Sequence, residues 1–210
     1  MALARRHVLQ LGGVVVAGWA AGKLLKRAAP IGRDVRGSGM VAAILDDKGP
    51  ADGPATASLR LAVFSDYRCP ACRRAFPALD AALRDDGDVR ILYKDWPIFG
   101  ASSERAARVA LASAAQGIYP AVHRRLMTDG RRIDDAVLRD VVTDAGGDWA
   151  RADDASRAPE IAARLRSTAR EAAAIGLPGT PAYLAGSLLV VGAIDRDDFA
   201  RLFARARAAA

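Results

Sequence analysis

An apolar run, LRLAVF at residues 59–64, leads straight into SDYRCPACRRAF, which holds the only two cysteines of the 210-residue chain, Cys69 and Cys72. The run is short, apolar and partly β-branched, the pattern of a buried strand. From Pro70 to about Leu83, Cys72, Phe76, Leu79 and Leu83 fall on one helical face. Pro70 suits the first helical position, where its missing N–H costs nothing. Pro77 lies inside that helix and predicts a kink or an early break. Asp85-Asp86-Gly87-Asp88 reads as a turn, and Val89 to Tyr93 (VRILY) as a second strand. Strand, helix and strand at this spacing make a βαβ unit with a parallel pair, which fixes the class as α/β.

The rest of the chain arranges itself around that unit. Residues 31–58 are rich in Gly, Pro and Asp and read as a linker with one short lead-in element, Val41 to Leu45. From Ser102 to about Ile175 the pattern is helical, and Gly117, Tyr119-Pro120, Asp129-Gly130 and Gly146-Gly147 divide it into three or four helices. Ala182 to Leu184 and Leu188 to Val191 read as a hairpin joined at Ala185-Gly186-Ser187. A terminal helix from Asp195 to about Ala208 buries Phe199, Leu202 and Phe203. The order is β, α, β, a helical block, then β, β, α. Three regions result: 1–30, 31–58, and a domain over 59–208 with a helical insertion at about 101–175.

A net charge of +7 suggests nucleic-acid binding until it is located. Residues 1–36 carry seven basic residues and one acidic one, leaving 24 basic and 23 acidic residues over the other 174. The folded part is nearly neutral, no aromatic–basic interleaving is present, and no nucleic acid is expected as a partner. The basicity belongs to MALARRHVLQLGGVVVAGWAAGKLLKRAAP, whose basic start, apolar run and second basic cluster follow the plan of an export signal. The apolar run is shorter than the roughly 20 residues of a transmembrane helix. Arg5-Arg6-His7-Val8-Leu9-Gln10 suits a twin-arginine signal, and a general secretory signal also fits. Ala20-Ala21-Gly22 offers a small-residue cleavage site, whereas Lys23-Leu-Leu-Lys-Arg27 would suit an uncleaved anchor. Either way the domain is expected outside the cytoplasm, where disulfides persist.

A Cys-x-x-Cys pair between a strand and a helix has a specific chemical use. The first sulfur sits at the helix N-terminus, among unpaired backbone N–H groups and the positive end of the dipole, which favours thiolate over thiol. The second lies one turn on, close enough to close a small ring that exchange can open. Cys69 is thus expected to be the exposed nucleophile and Cys72 the buried resolving thiol. Arg68, Arg73 and Arg74 add positive charge beside them. A purely structural disulfide would close too short a loop to stabilise much. Zinc needs about four ligands, and only His7 and His123 are available besides the cysteines, so no metal is expected. Asp66, Pro70 and Ala71 are the candidates for tuning the thiols; Asp66 equally suits a cap on the loop. Tyr67 is read as a lining of the substrate face or as packing, His123 as an inter-helix hydrogen-bond partner, and Trp96 as packing. Gly179-Thr180-Pro181 stands before a predicted strand, and sequence alone makes no case for a cis bond there.

FSDYRCPACRRAFPAL, YKDWPIFG with Ser102-Ser103, IGLPGTPAYLAG and VVGAID, in that order, resemble a DsbA-like thiol–disulfide oxidoreductase with a thioredoxin fold. The resemblance covers about residues 41–205 and is to the bacterial exported branch with a lead-in like ILDD. It implies a thioredoxin-like fold with the helical insertion between its βαβ and ββα halves. It also implies Cys69 as nucleophile, Cys72 as resolving cysteine, and Thr180-Pro181 as the cis-proline loop that binds substrate. Two departures matter. Ala71 stands where strongly oxidising members carry His, and Thr180 is closer to relatives that reduce or isomerise disulfides. A less oxidising couple is therefore expected.

The function expected is disulfide exchange with exported proteins, in the disulfide-forming direction, through a mixed disulfide at Cys69 resolved by Cys72. Reduction or isomerisation by the same fold is the alternative, as is a non-catalytic peptide-binding or chaperone module using the Thr180-Pro181 groove. No cofactor is required, since the cysteine pair carries the electrons. A membrane redox partner, either a quinone-linked reoxidase or a thiol-donating reductase, would reset it, and the N-terminal segment would serve as export signal or membrane tether.

Overall fold

The computed structural model describes Gly18, Gly22 and residues 29–209. The chain divides into two compact units, Met1–Ile31 and Gly32–Ala210. In the first, Gly18 and Gly22 are helical and exposed. The export-signal reading of residues 1–30 otherwise falls outside the described residues. Among the described residues no helix is long and apolar enough to cross a membrane.

The second unit opens with β1 (Arg33–Asp34), α1 (Met40–Leu45) and β2 (Ala51–Asp52), then β3 (Leu59–Ser65), α2 (Pro70–Asp86) and β4 (Val89–Asp95). Five helices follow: α3 (Ala101–Ser113), α4 (Tyr119–Thr128), α5 (Asp135–Asp144), α6 (Trp149–Ala155) and α7 (Pro159–Ala174). The chain closes with β5 (Ala182–Ala185), β6 (Leu188–Val191) and α8 (Arg196–Ala208). The strands form one sheet in the order β1-β6-β5-β3-β4-β2. β3 pairs parallel with β4 from Leu59↔Val89 to Ser65↔Asp95 and antiparallel with β5, and β5 pairs antiparallel with β6. This is the expected α/β arrangement.

Alternation along the strands divides the core in two. Ala62, Phe64, Leu92, Ala182, Leu184 and Leu189 pack with Ile44 of α1 and Ala172 of α7. Burial of side chains such as Phe64 or Leu184 contributes about 1.5–3 kcal/mol each. On β5 the neighbouring Tyr183 meets Phe199 of α8 edge-on, ring centroids 4.8 Å apart. The central strands are buried on both faces, which explains their unbroken apolar pattern.

Three local differences from the sequence pattern have physical reasons. Pro77 does not end α2, which continues to Asp86. Its ring is exposed, while Cys72, Ala75, Phe76, Leu79 and Ala82 form a continuous buried stripe that offsets the lost hydrogen bond. The helix stops only at Gly87, whose φ of +68° supplies the left-handed cap. β4 runs two residues past Tyr93, to Lys94 and Asp95. Lys94 is fully buried and is accommodated by ion pairs to Asp47 at 2.6 Å and Glu171 at 2.7 Å. Arg164 also donates to Asp47 at 2.7 Å, so one cluster ties the lead-in segment, β4 and α7 together. The helical block holds five helices where the glycine punctuation predicts three or four, because Pro159 starts a new helix after Ala158.

Candidate active site

The C-terminal end of β3 delivers Asp66, Tyr67 and Arg68 to the start of α2, with Cys69 as N-cap and Pro70 as the first helical residue. The Cys69 sulfur accepts the Cys72 N–H at 3.4 Å, taking one of the donors that a helix start leaves unpaired. From across the site the loop before β5 brings in Thr180, whose peptide bond to Pro181 is cis. The Cys69 thiol donates to the Thr180 carbonyl at 3.4 Å. The structure therefore gathers Cys69, Cys72, Thr180 and Pro181, which lie more than a hundred residues apart in sequence.

Cys69 is not exposed as expected: it is 2% exposed, less even than Cys72 at 4%. The Thr180–Pro181 loop lies against its sulfur, leaving the exposed Pro70 and half-buried Ala71 as the open side. Burial pushes the Cys72 thiol up to about 12, with the Asp66 backbone N–H and the Thr180 side chain opposing the rise and Cys69 adding to it. Cys72 is thus a thiol at neutral pH. Burial, and then the two sulfurs, keep the nearby Tyr183 hydroxyl protonated.

Asp66 holds the loop together. One carboxylate oxygen accepts the Arg68 N–H at 2.7 Å, and the other accepts the N–H groups of Ile98 and Phe99 at 2.7 and 3.0 Å. Arg68 in turn donates to the Phe99 carbonyl at 3.1 Å. These bonds place Ile98 and Phe99, large apolar side chains 43% and 44% exposed, beside the cysteine loop. Ile98 also approaches Gly179, directly before Thr180.

A buried polar network lies beneath the loop. The Tyr67 hydroxyl bonds His123 Nδ1 at 2.9 Å and lies 3.3 Å from the Tyr119 hydroxyl. Tyr119 donates to Asp95 at 2.8 Å. Tyr67 is 1% exposed, so it packs and lines no substrate surface. The partner of His123 is this loop tyrosine and not a neighbouring helix. Burial raises the Asp95 carboxyl from 3.8 to about 7, against hydrogen bonds from Tyr119 and Tyr67 that lower it. Burial lowers His123 to about 3, so its ring is neutral. Sequence reasoning missed Asp95 and Tyr119. The available signal was an acid closing an otherwise apolar strand, VRILYKD. Trp96 packs against the core, as its place between β4 and the helical block suggests. Among the described residues no group of three His, Cys, Asp or Glu side chains could hold a metal.

Comparison with known proteins decides the family. A model described as the DSBA-like thioredoxin domain matches residues 60–204. The chain belongs to this family. The DSBA-like domain superposes on a thioredoxin-like oxidoreductase from Silicibacter pomeroyi DSS-3 with a TM-score of 0.76 and 31% identity, covering 80% of this chain and 98% of that one. A periplasmic thioredoxin-like protein from Salmonella enterica serovar Typhimurium gives a TM-score of 0.71 and 25% identity, covering 84% and 99%. A stretch of 124 residues is 29% identical to the Na(+)/H(+) antiporter NhaA 3 of Salinispora tropica, covering 55% of this chain and 19% of the antiporter. The chain thus spans about a fifth of that curated relative. The fold is thioredoxin-like.

Proposed function

We propose that this DSBA-like domain forms disulfides in proteins outside the cytoplasm, with Cys69 as the exchanging sulfur. The observation that carries this reading is the position of the Cys69 sulfur, which caps α2 and meets the Thr180 carbonyl. In the oxidised protein, a client thiolate attacks the Cys69 sulfur and breaks the Cys69–Cys72 bond. Cys72 leaves and takes a proton. A second client thiolate then attacks the client sulfur of the mixed disulfide and expels Cys69. The client loses two electrons, and the cysteine pair gains them.

Burial raises the Cys72 thiol to about 12, which bears on both directions alike, since the same sulfur must leave in the oxidative step and attack in the reductive one. Ala71 places no cation between the cysteines, so the couple is read as less oxidising than that of a protein with histidine there. Ile98 and Phe99 provide an apolar landing surface beside Cys69 for an unfolded client.

Export through the basic, apolar N-terminal segment, by the twin-arginine or general route, fits this chemistry, as does the periplasmic setting named for the Salmonella relative. A membrane reoxidase linked to quinone would regenerate the disulfide. The test is to mix the oxidised protein with a dithiol peptide and follow the peptide disulfide. Stoichiometric oxidation that is lost in Cys69→Ser supports the reading. A peptide left reduced while its Cys69–Cys72 disulfide persists overturns it.

A further inference from the structure

Asp66 reaches both the cysteine pair and the loop that carries Ile98 and Phe99. It is 1% exposed and follows β3 directly. Its backbone serves the cysteines: the carbonyl accepts the Cys69 N–H at 3.1 Å, and the N–H is one of the groups that oppose the rise of the Cys72 thiol. Its carboxylate serves the neighbouring loop. One oxygen accepts the N–H groups of Ile98 and Phe99, and the other accepts the N–H of Arg68, whose guanidinium donates to the Phe99 carbonyl. Asp66, Arg68 and Phe99 thereby close a ring of hydrogen bonds between two loops.

The loop from Trp96 to Gly100 depends on this clasp. The Trp96 N–H bonds the Ser65 carbonyl at 2.9 Å, and the Gly100 carbonyl accepts from Ser103 and Glu104 at the start of α3, so both ends are fixed. Between them Pro97 has no N–H, and Ile98 and Phe99 both donate to Asp66. The Ile98 and Phe99 side chains are too exposed for burial alone to hold them. Breaking the clasp would leave a buried carboxylate and two backbone donors without these partners, which is costly.

An apolar surface that receives an extended client gains from being held in place beforehand, because less loop and side-chain freedom is lost on docking. A small thiol that meets only the sulfur gains nothing from it. The clasp therefore bears on which thiols react.

We propose that Asp66 is a positioning residue for client selection: through its carboxylate it holds Ile98 and Phe99 against the cysteine loop, and so favours apolar peptide thiols over small ones. This inference rests on the reading of Ile98 and Phe99 as the client surface. Asp66→Ala removes the carboxylate and keeps the backbone groups that meet the cysteines.

The test follows the reaction of the oxidised full chain with an apolar dithiol peptide and with reduced glutathione, and takes the ratio of the two rate constants. Asp66→Ala should lower that ratio about fivefold. Asp66→Asn, which keeps one acceptor oxygen, should lower it about two- to threefold. In an Ile98→Ser/Phe99→Ser background Asp66→Ala should lower it by less than about twofold further, since the side chains it positions are gone. The Ile98 and Phe99 amides should exchange with deuterium at least about tenfold faster in Asp66→Ala than in the wild type. A ratio that falls with Ile98→Ser/Phe99→Ser and not with Asp66→Ala overturns the inference and leaves the client surface standing. Equal losses for peptide and glutathione do the same, as does an undiminished Asp66→Ala loss in the Ile98→Ser/Phe99→Ser background, since Asp66 would then act on the cysteines and not through the loop. A ratio unmoved by Ile98→Ser/Phe99→Ser overturns the client surface, and this inference with it. Should Asp66→Ala fail to fold, Asp66→Asn decides by the same ratio.

Discussion

The Cys69 sulfur and the Thr180 carbonyl oxygen lie 3.4 Å apart, across 111 residues of chain. β5 pairs with β3, and this pairing brings the loop before β5 over the helix that follows β3. An extended client docking there would have its own cysteine beside Cys69. Cys72→Ser, which leaves the Cys69 thiol in place, should therefore attack a peptide that carries a disulfide, expel one peptide sulfur as a thiol and accumulate the mixed disulfide, and Cys69→Ser should form none. Intact-protein mass spectrometry reads both.

The two thiols of the reduced protein should also separate by pH. Cys72 is pushed up to about 12 by burial, so it carries almost no thiolate below about pH 10. Iodoacetamide at pH 7 should modify one thiol, mapped to Cys69, and leave Cys72 unmodified. Rapid labelling of both at pH 7 would contradict the burial of Cys72.

Asp95 should make stability depend on pH with a definite sign. Its folded value, about 7, lies above its ordinary 3.8, so the fold favours the protonated form. The associated stability is fully present below about pH 4 and is lost as pH rises to about 7. Asp95→Asn, which does not titrate, should gain on the wild type between pH 4 and pH 8 by on the order of 2–4 kcal/mol. Urea unfolding at the two pH values measures the difference. A constant difference would mean Asp95 is ionised throughout.

The buried ion cluster should behave as a unit. Asp47→Ala removes one partner of Lys94 and the carboxylate to which Arg164 donates. Leaving a buried ammonium half-compensated should cost about 3 kcal/mol. Lys94→Met/Asp47→Ala should recover part of that loss, because the buried charge is gone. A simple sum of the single effects in urea unfolding would show that the groups are not coupled.

The exposed pair Ile98 and Phe99 should affect client recognition without touching the chemistry. Ile98→Ser/Phe99→Ser should lower kcat/KM for an apolar cysteine peptide about tenfold, equivalent to about 1.4 kcal/mol. The reaction with a small thiol such as glutathione should stay unchanged. Equal losses for both substrates would place the effect on the cysteines and not on docking.

Much of this architecture was legible in the chain because it is local. LRLAVF and VRILY read as buried strands by their unbroken apolar pattern, and Pro70 and the Asp195 cap marked helix starts. The place of the cysteine pair, between a strand and a helix, was legible for the same reason. What was hidden depends on distant partners. Lys94 looks like a strand end until Asp47 and Glu171 are placed around it. Asp95, Tyr67, Tyr119 and His123 form one network only after folding, from four separate segments. Pro77 misled because its cost is local and the buried stripe that outweighs it is tertiary. The cover over Cys69 comes from the Thr180 loop, which no local pattern near the cysteine announces.

If the cysteine pair accepts electrons from client thiols, the Cys69–Cys72 couple must be oxidising, and its reduction potential can be measured by equilibration with glutathione. The expected value lies between roughly −120 and −200 mV, oxidising but short of the strongest oxidases. A value near roughly −270 mV, at the thioredoxin end of the scale, would make the pair an electron donor and contradict it.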